Sequence, residues 1–233
     1  MKWSLLERLA AARAAQRPVA LLTALGSGEQ ALQFEDGDGG GVFGGDVAVA
    51  AREALHAGES RTTESDAAGK VFIHVFNPPL RLFVVGAVHI TQALAPMAAM
   101  LGYAVTVVDP RRAFATPTRF ADVRVLDTWP DEALAAEALD ARSAVVTLTH
   151  DPKLDDPALA AALASQAFYI GCLGSRRTHA KRLERLTRAG FDAAQFARLH
   201  GPVGLAIGAR TPAEIATAIL AEMTQTLRQG VGR

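Results

Sequence analysis

Cysteine is nearly missing from this chain. One thiol, Cys172, stands in 233 residues, which excludes an intramolecular disulfide and any metal cluster built on several cysteines. Aromatic residues are scarce at 6% and are not interleaved with basic ones, so no stacking platform for RNA is expected. Neither sign of charge is in excess: Lys+Arg and Asp+Glu each number 24. No global field therefore draws the chain to nucleic acid or to an anionic membrane. Long apolar runs are missing too, and none approaches the roughly 18–20 residues of a membrane span. The opening MKWSLLERLAAARAAQ mixes its apolar residues with Glu7, Arg8 and Arg13, unlike the unbroken core of a signal peptide. The expectation is a cytoplasmic protein with neither nucleic acid nor membrane as partner.

What is present is ordinary globular material, half hydrophobic and 21% charged, long enough to bury a sizeable core in one domain or two small ones. Residues 3–16 place Leu5, Leu6, Leu9 and Ala12 at helical spacing. Strands are expected at 19–24 and 31–34, a helix from Gly45 or Asp46 to Ala57, and strands near 60–65 and 71–76. Asn77-Pro78-Pro79 then stops regular structure, because neither proline donates a backbone hydrogen bond. A domain boundary is placed there, giving a small α+β domain over 1–78 and a second domain over 79–233.

The second domain alternates strand and helix. Strands are expected near 81–85, 104–108, 123–126, 143–148, 167–170 and 201–205. Helices are expected near 90–101, 129–137, 155–164, 176–189, 192–197 and 211–228. The strand runs are almost continuously apolar, as in parallel strands covered on both faces. The fold class is therefore α/β: a Rossmann-like, doubly wound, mainly parallel sheet, preceded by the small α+β domain, with its site at the C-terminal ends of the strands.

The loops after those strands hold the candidate residues. After the first comes Gly86-Ala-Val88-His89-Ile90-Thr91, and an acid, Asp109, ends the next strand. That is the layout of a dinucleotide-binding unit, whose acid falls about 20 residues beyond the glycines. Two of the three glycines of the fingerprint are absent, and Val88 is expected to stand where a phosphate would approach the backbone. Gly86 and the helix start can still hold an anion, and His89 is a donor on the same loop. Asp109 suits ribose hydroxyls. The loop Thr147–Asp156 offers His150 and Asp151 for acid–base work or polar recognition; a helix cap at Asp155 or Asp156 before Pro157 accounts for the acids there. The loop Gly171-Cys172-Leu173-Gly174-Ser175-Arg176-Arg177 leads into a helix whose first turn is basic. Basic residues there oppose the helix dipole, so a bound anion is the natural compensation, and this is the best phosphate cradle in the chain. Cys172 reads as a small buried hydrophobe or a thiol nucleophile. Thr211-Pro212-x-Glu214 is a helix start, with Arg210 just before it.

Taken in order, VVGAVHITQALAPMAAMLGY-VTVVDPRRAFAT, LTHDPKLDDPAL, YIGCLGSRRTHAKRLERL and GPVGLAIGARTPAEIA resemble the XdhC/CoxI family of accessory proteins for xanthine and carbon monoxide dehydrogenases. The likeness runs over about residues 72–222. It departs from the family pattern at Val88 and Thr91, at Gly44-Gly45-Asp46 where a cysteine is usual, at Cys172, and at Ala206 where an aspartate is common.

The resemblance implies a chaperone rather than an enzyme, with no catalytic residue and no resident metal. Its cargo would be the molybdenum cofactor, as molybdopterin or its dinucleotide form, held for sulfuration and delivered to an apo molybdenum hydroxylase. A cysteine desulfurase and a nucleotidyltransferase of cofactor synthesis are further implied partners. Apolar helix faces make a homodimer an expectation as well. The residues expected to bind the cofactor are Gly86, His89, Asp109, His150, Asp151, Gly171, Gly174, Ser175, Arg176, Arg177 and Arg210. An NAD(P)-dependent oxidoreductase and a scaffold that binds only proteins are the alternatives.

Overall fold

The computed structural model describes residues 2–37, 39, 43–114 and 119–229. Much of the acidic glycine loop at 36–41 lies outside them. The chain divides into two compact units, Met1–Pro78 and Pro79–Arg233.

The first unit contains α1 (Trp3–Ala14), β1 (Val19–Ala24), β2 (Gln30–Phe34), α2 (Gly45–Ala57), β3 (Arg61–Ser65) and β4 (Gly69–Phe76). Its strands form an antiparallel sheet in the order β2-β1-β4-β3. Alternation along β1 sends Ala20 and Leu22 to one face, against Val47, Ala51 and Leu55 of α2. Val19 and Leu21 go to the other, where Leu9 and Ala12 of α1 cover them. Both faces of β1 are thus buried, which explains its unbroken apolar run.

The second unit contains β5 (Leu80–Val85), α3 (His89–Met100), β6 (Tyr103–Val108), β7 (Arg124–Leu126), α4 (Pro130–Ala136), β8 (Ser143–Thr147), α5 (Pro152–Leu163), β9 (Tyr169–Cys172), α6 (Arg176–Arg188), α7 (Ala193–Phe196), β10 (Leu199–His200) and α8 (Pro212–Gln229). Its strands are all parallel, in the order β7-β6-β5-β8-β9-β10. In order of appearance that is 3-2-1-4-5-6, the doubly wound arrangement, in which the crossover direction reverses at the first strand. Leu82 and Val84 of β5 pack with α3 and α8 through Leu94, Ala98, Ile219 and Met223. Phe83 and Val85 face α4 and α5 through Leu134, Leu154 and Leu159. This places α3 and α8 on one face, with α4, α5 and α6 on the other.

Two elements depart from the sequence expectations. The helix expected at 155–164 begins at Pro152, because Asp151 caps it: its side chain accepts a hydrogen bond from the Lys153 amide. Pro157, read as the marker of a helix start, lies inside α5 and removes only one internal amide donor. The last strand is the pair Leu199–His200 rather than 201–205. Residues 201–211 form a loop, although Val203 still donates to the Cys172 carbonyl.

The lower ends of two helices are closed by arginines. Arg81 donates to the carbonyls of Glu137 and Ala138 at the end of α4. Arg198 donates to those of Leu163, Ser165 and Ala167 at 3.2, 2.9 and 2.8 Å, beyond α5. A planar guanidinium reaches several orphan carbonyls at once. Arg198→Ala is expected to lower stability by about 1–3 kcal/mol in urea unfolding, with Arg198→Lys recovering less than half of it. An unchanged midpoint would show that these bonds add nothing to folding.

Candidate functional site

The loops after β5, β8 and β9 meet at one edge of the parallel sheet. Gly86 turns the chain away from β5 with φ at +112°, and a Cβ there would lie 2.7 Å from Thr149 Cγ2. Only glycine permits both the backbone angle and the contact, so Gly86 brings the first loop against the His150 loop. Thr91, which stands at the third fingerprint position, is fully buried, and its hydroxyl donates to the Gly86 carbonyl. A threonine thus closes the turn where the fingerprint has glycine. Val88 is half-buried and packs against the α3–α8 core. The side chain expected to stand over the turn is drawn in part into the protein.

Three helices begin at this edge. Asp151 caps α5, and Ser175 caps α6 by accepting from the Thr178 amide. No side chain caps α3, whose N-cap is Val88. Its first amides point outward with their partial positive charge, and His89 is exposed at its first position.

Asp109 has no exposed surface. Its Oδ2 accepts from the Ala87 amide at 2.8 Å and Arg111 Nη2 at 2.8 Å; its Oδ1 accepts from Arg111 N at 3.0 Å and Nε at 2.9 Å. A carboxylate has about four acceptor positions, and protein donors take all of them. Asp109 therefore ties the β6 loop to the β5 loop, and a ribose hydroxyl would have to displace one of these donors. Burial pushes the carboxyl up, but the Arg111 guanidinium and the amides of Ala87 and Arg111 together hold it below the ordinary range.

A cleft of about 140 Å³ lies between α5 and α6, with His150, Asp155, Arg177, Lys181, Arg182 and Arg185 in its wall. His150 holds a left-handed backbone, φ +62°, at the mouth of β8, a conformation His tolerates better than most residues. Asp155 and Arg182 are 1% and 2% exposed and lie 3.6 Å apart. Asp155 Oδ1 also accepts from the Thr149 hydroxyl at 2.7 Å. Sequence reading missed Lys181, Arg182 and Arg185. The available signal was an arginine four residues before Leu186, on the buried stripe of α6.

The expected residues separate into groups. Gly86 abuts the His150 loop, His150 and Arg177 share the cleft, and Gly174 leaves room beside Thr178 and Arg182. A Cβ on Gly171 would meet Val203 at 2.5 Å, so that glycine serves close packing. Arg176 and Arg210 are exposed and outside the cleft wall. The Arg210 amide donates to Glu214, the acid that also closes the Thr211 capping box. Cys172 belongs to the core, and burial pushes its thiol up to about 11. A thiol in that state is not a nucleophile at neutral pH. A larger hollow, about 750 Å³, flanks the start of β6 near Pro96, Tyr103 and Phe120. It lies away from the strands' C-terminal ends, where ligands of this fold bind. Among the described residues no helix is long and apolar enough to cross a membrane, and no three His, Cys, Asp or Glu side chains are grouped to hold a metal ion.

The family model described as the XdhC Rossmann domain matches residues 82–223. The chain is 34% identical over 181 residues to the uncharacterized protein YqeB of Escherichia coli (strain K12), covering 78% of this chain and 34% of that protein. It is 33% identical over 148 residues to the molybdenum cofactor insertion chaperone PaoD of the same strain, covering 64% and 40% respectively. It is 32% identical over 165 residues to a probable xanthine dehydrogenase subunit from Bacillus subtilis (strain 168), covering 70% and 48%. The chain thus spans between 34% and 48% of the length of these curated relatives. A crystal structure described as a xanthine dehydrogenase from Bacillus halodurans superposes with a TM-score of 0.72 at 26% identity, covering 96% of this chain and 66% of that one.

The Asp109 tie yields a pH prediction. Its folded-state pKa is depressed, so the stability it contributes is present above the ordinary Asp value of about 3.9 and is lost as pH falls through the folded value. Asp109→Asn is expected to cost about 1–3 kcal/mol at pH 7. The gap from wild type should narrow below about pH 4 as the wild-type carboxylate protonates. Urea midpoints measured from pH 7 to pH 3 check this; a gap constant with pH would mean the charge of Asp109 is not what holds the loops.

Proposed function

The chain belongs to the XdhC family, and from that premise we propose that it binds the molybdenum cofactor as cargo and passes it to a molybdenum hydroxylase. The observation that carries this reading is the character of the sheet's C-terminal edge. An uncapped helix start at α3 lies on the loop after β5, and a cationic cleft opens between the helices that follow β8 and β9. Both favour anions, and the cofactor is an anionic pterin in either its molybdopterin or its dinucleotide form. The amides of α3 and His89 would face one part of the cargo. His150, Arg176 and Arg177 would face another, with Gly86 and Gly174 holding the loops close enough to share it. These are binding and shielding roles, and we assign no catalytic residue.

The relative named as a molybdenum cofactor insertion chaperone supports this reading for the shared region. The relative and the structure named as xanthine dehydrogenase proteins point to the class of client. We include sulfuration of the held cofactor in the proposal, with a cysteine desulfurase as sulfur donor. A nucleotidyltransferase of cofactor synthesis would be an upstream partner, and a homodimer the working state.

A nicotinamide dinucleotide is the second reading, favoured by the 3-2-1-4-5-6 strand order. Against it stands Asp109, whose carboxylate is spent on Ala87 and Arg111. Purification from cells making the cofactor separates the two. The expected result is a pterin released on denaturation and identified by mass spectrometry, reduced several-fold in the Arg176→Ala/Arg177→Ala variant. Protein that stays empty under saturating cofactor, or that binds NADH at micromolar concentration instead, would overturn the proposal.

A further inference from the structure

Arg182 is a buried charged group with unmet donors. It is 2% exposed. Its Nη2 donates to the Leu173 carbonyl at 3.0 Å and lies 3.6 Å from Asp155 Oδ2, beyond hydrogen-bonding reach. Arg182 Nε and Nη1, and Asp155 Oδ2, have no hydrogen-bond partner. A guanidinium has five N–H donors, and burying a charge with donors unmet is costly unless something completes it. The side chain forms part of the cleft wall, with its unpaired nitrogens buried behind the surface. The cleft, at about 140 Å³, exceeds what a single water requires, roughly 10–15 Å³ by the same measure.

The surroundings define what fits. Arg177, Lys181, Arg182 and Arg185 recur along one side of α6 and all reach the cleft. Arg185 is neutralised by Asp156, which takes both its Nε and its Nη2. Among the described residues Asp155 is the only acid in the wall, and Thr149 already holds its Oδ1. Burial moves its carboxyl toward the neutral form, against the pull of Thr149 and Arg182, which weakens it further as a counterion. Positive charge is therefore in surplus, with Arg177 and Lys181 at the entrance and Arg182 at the base. A Cβ at Gly174 would sit 3.7 Å from Arg182 Nη1, so this orphan donor lies just beneath the turn that opens α6.

We infer that the α5–α6 cleft is an oxyanion subsite for a phosphate monoester, with Arg182 as its buried anchor and Arg177 and Lys181 as its outer donors. The subsite lies on the flank of α6, about a turn beyond the helix start that Ser175 has already capped. A tetrahedral anion matches the planar fork of an arginine and shares its remaining oxygens with neighbouring cations. Naming the phosphate as that of the pterin cargo rests on the function proposed above; the oxyanion site itself does not.

Inorganic phosphate is the probe. Titrated into the full chain at constant ionic strength, it is expected to bind saturably by calorimetry and to raise Tm, while chloride does neither. Arg177→Ala/Lys181→Ala should weaken phosphate at least tenfold. Arg182→Lys keeps the charge but not the fork and should weaken it as well. Arg188→Ala, on the same helix but 75% exposed and outside the cleft wall, should bind as wild type does. Circular dichroism checks that each variant is folded, and the double variant carries the test if Arg182→Lys is not. Phosphate binding that is absent in wild type, or equal in the double variant, overturns the subsite. The pterin content of the same double variant tests the cargo assignment. A drop in parallel with phosphate supports it, and full pterin retention with phosphate binding lost overturns it. Wild-type protein that binds phosphate yet never carries pterin would sink the proposed function and leave the oxyanion site standing.

Discussion

A parallel sheet is stable only when both of its faces are covered, because its crossovers must travel over the faces and its strands carry apolar residues on each. Everything in the second unit follows from that constraint. β5 supplies Leu82 and Val84 to one face and Phe83 and Val85 to the other. The chain leaves β5 toward α3 and later leaves β8 toward α5 on the opposite side. The chain therefore leaves the C-terminal edge toward opposite faces after these two strands, although their loops touch where Gly86 packs on Thr149. Ligands of such folds collect near that reversal; the cationic cleft lies beside it, between α5 and α6 on one face.

What lines that edge is mostly polar groups already engaged with the protein. Asp109 spends both oxygens holding two loops together, and Asp151 Oδ1 and Ser175 Oγ accept helix-cap bonds. Such groups position the site without facing a ligand. Exceptions among the described residues include the start of α3, where Val88 makes no side-chain cap, the cleft cations Arg177 and Lys181, and Arg182, whose burial beside a weak counterion leaves donors unmet. Fixed donors and charges of this kind attract an incoming anion, more strongly the less water screens them. Under the function proposed above, such unmet donors matter more than a nucleophile would, and Cys172 lies buried in the core.

Much of the fold was legible in sequence because it rests on local rules. The two prolines after Asn77 coincide with the division between the units, and Thr211-Pro212-x-Glu214 forms the helix start it spells. The misses have physical causes. Pro157 resembles a helix opener but lies inside α5, because Asp151-Pro152 supplies an earlier cap and first turn. The last strand is two residues long, set by the edge of β9 and not by the apolar pattern beyond it. Val88 looked like an obstacle to a ligand, and the core beneath α3 and α8 draws it partly away. Arg182 has no signal of its own on a basic helix beyond the buried stripe it shares with Leu186.

The sequence by itself determined the alternation of strand and helix and which loops carry polar residues. Each of these depends on neighbours within a few positions, through periodicity, proline geometry and capping. The tertiary structure decided which polar residues remain available to a ligand. Whether Asp109 or Arg182 has a partner depends on groups brought in from distant parts of the chain. Ala87 reaches Asp109 across the β5–β6 pair, Leu173 meets Arg182 from the loop before α6, and Asp155, held by Thr149, meets Arg182 only when α5 packs on α6. Satisfaction of a buried charge is a property of three-dimensional neighbours, and no local pattern encodes it.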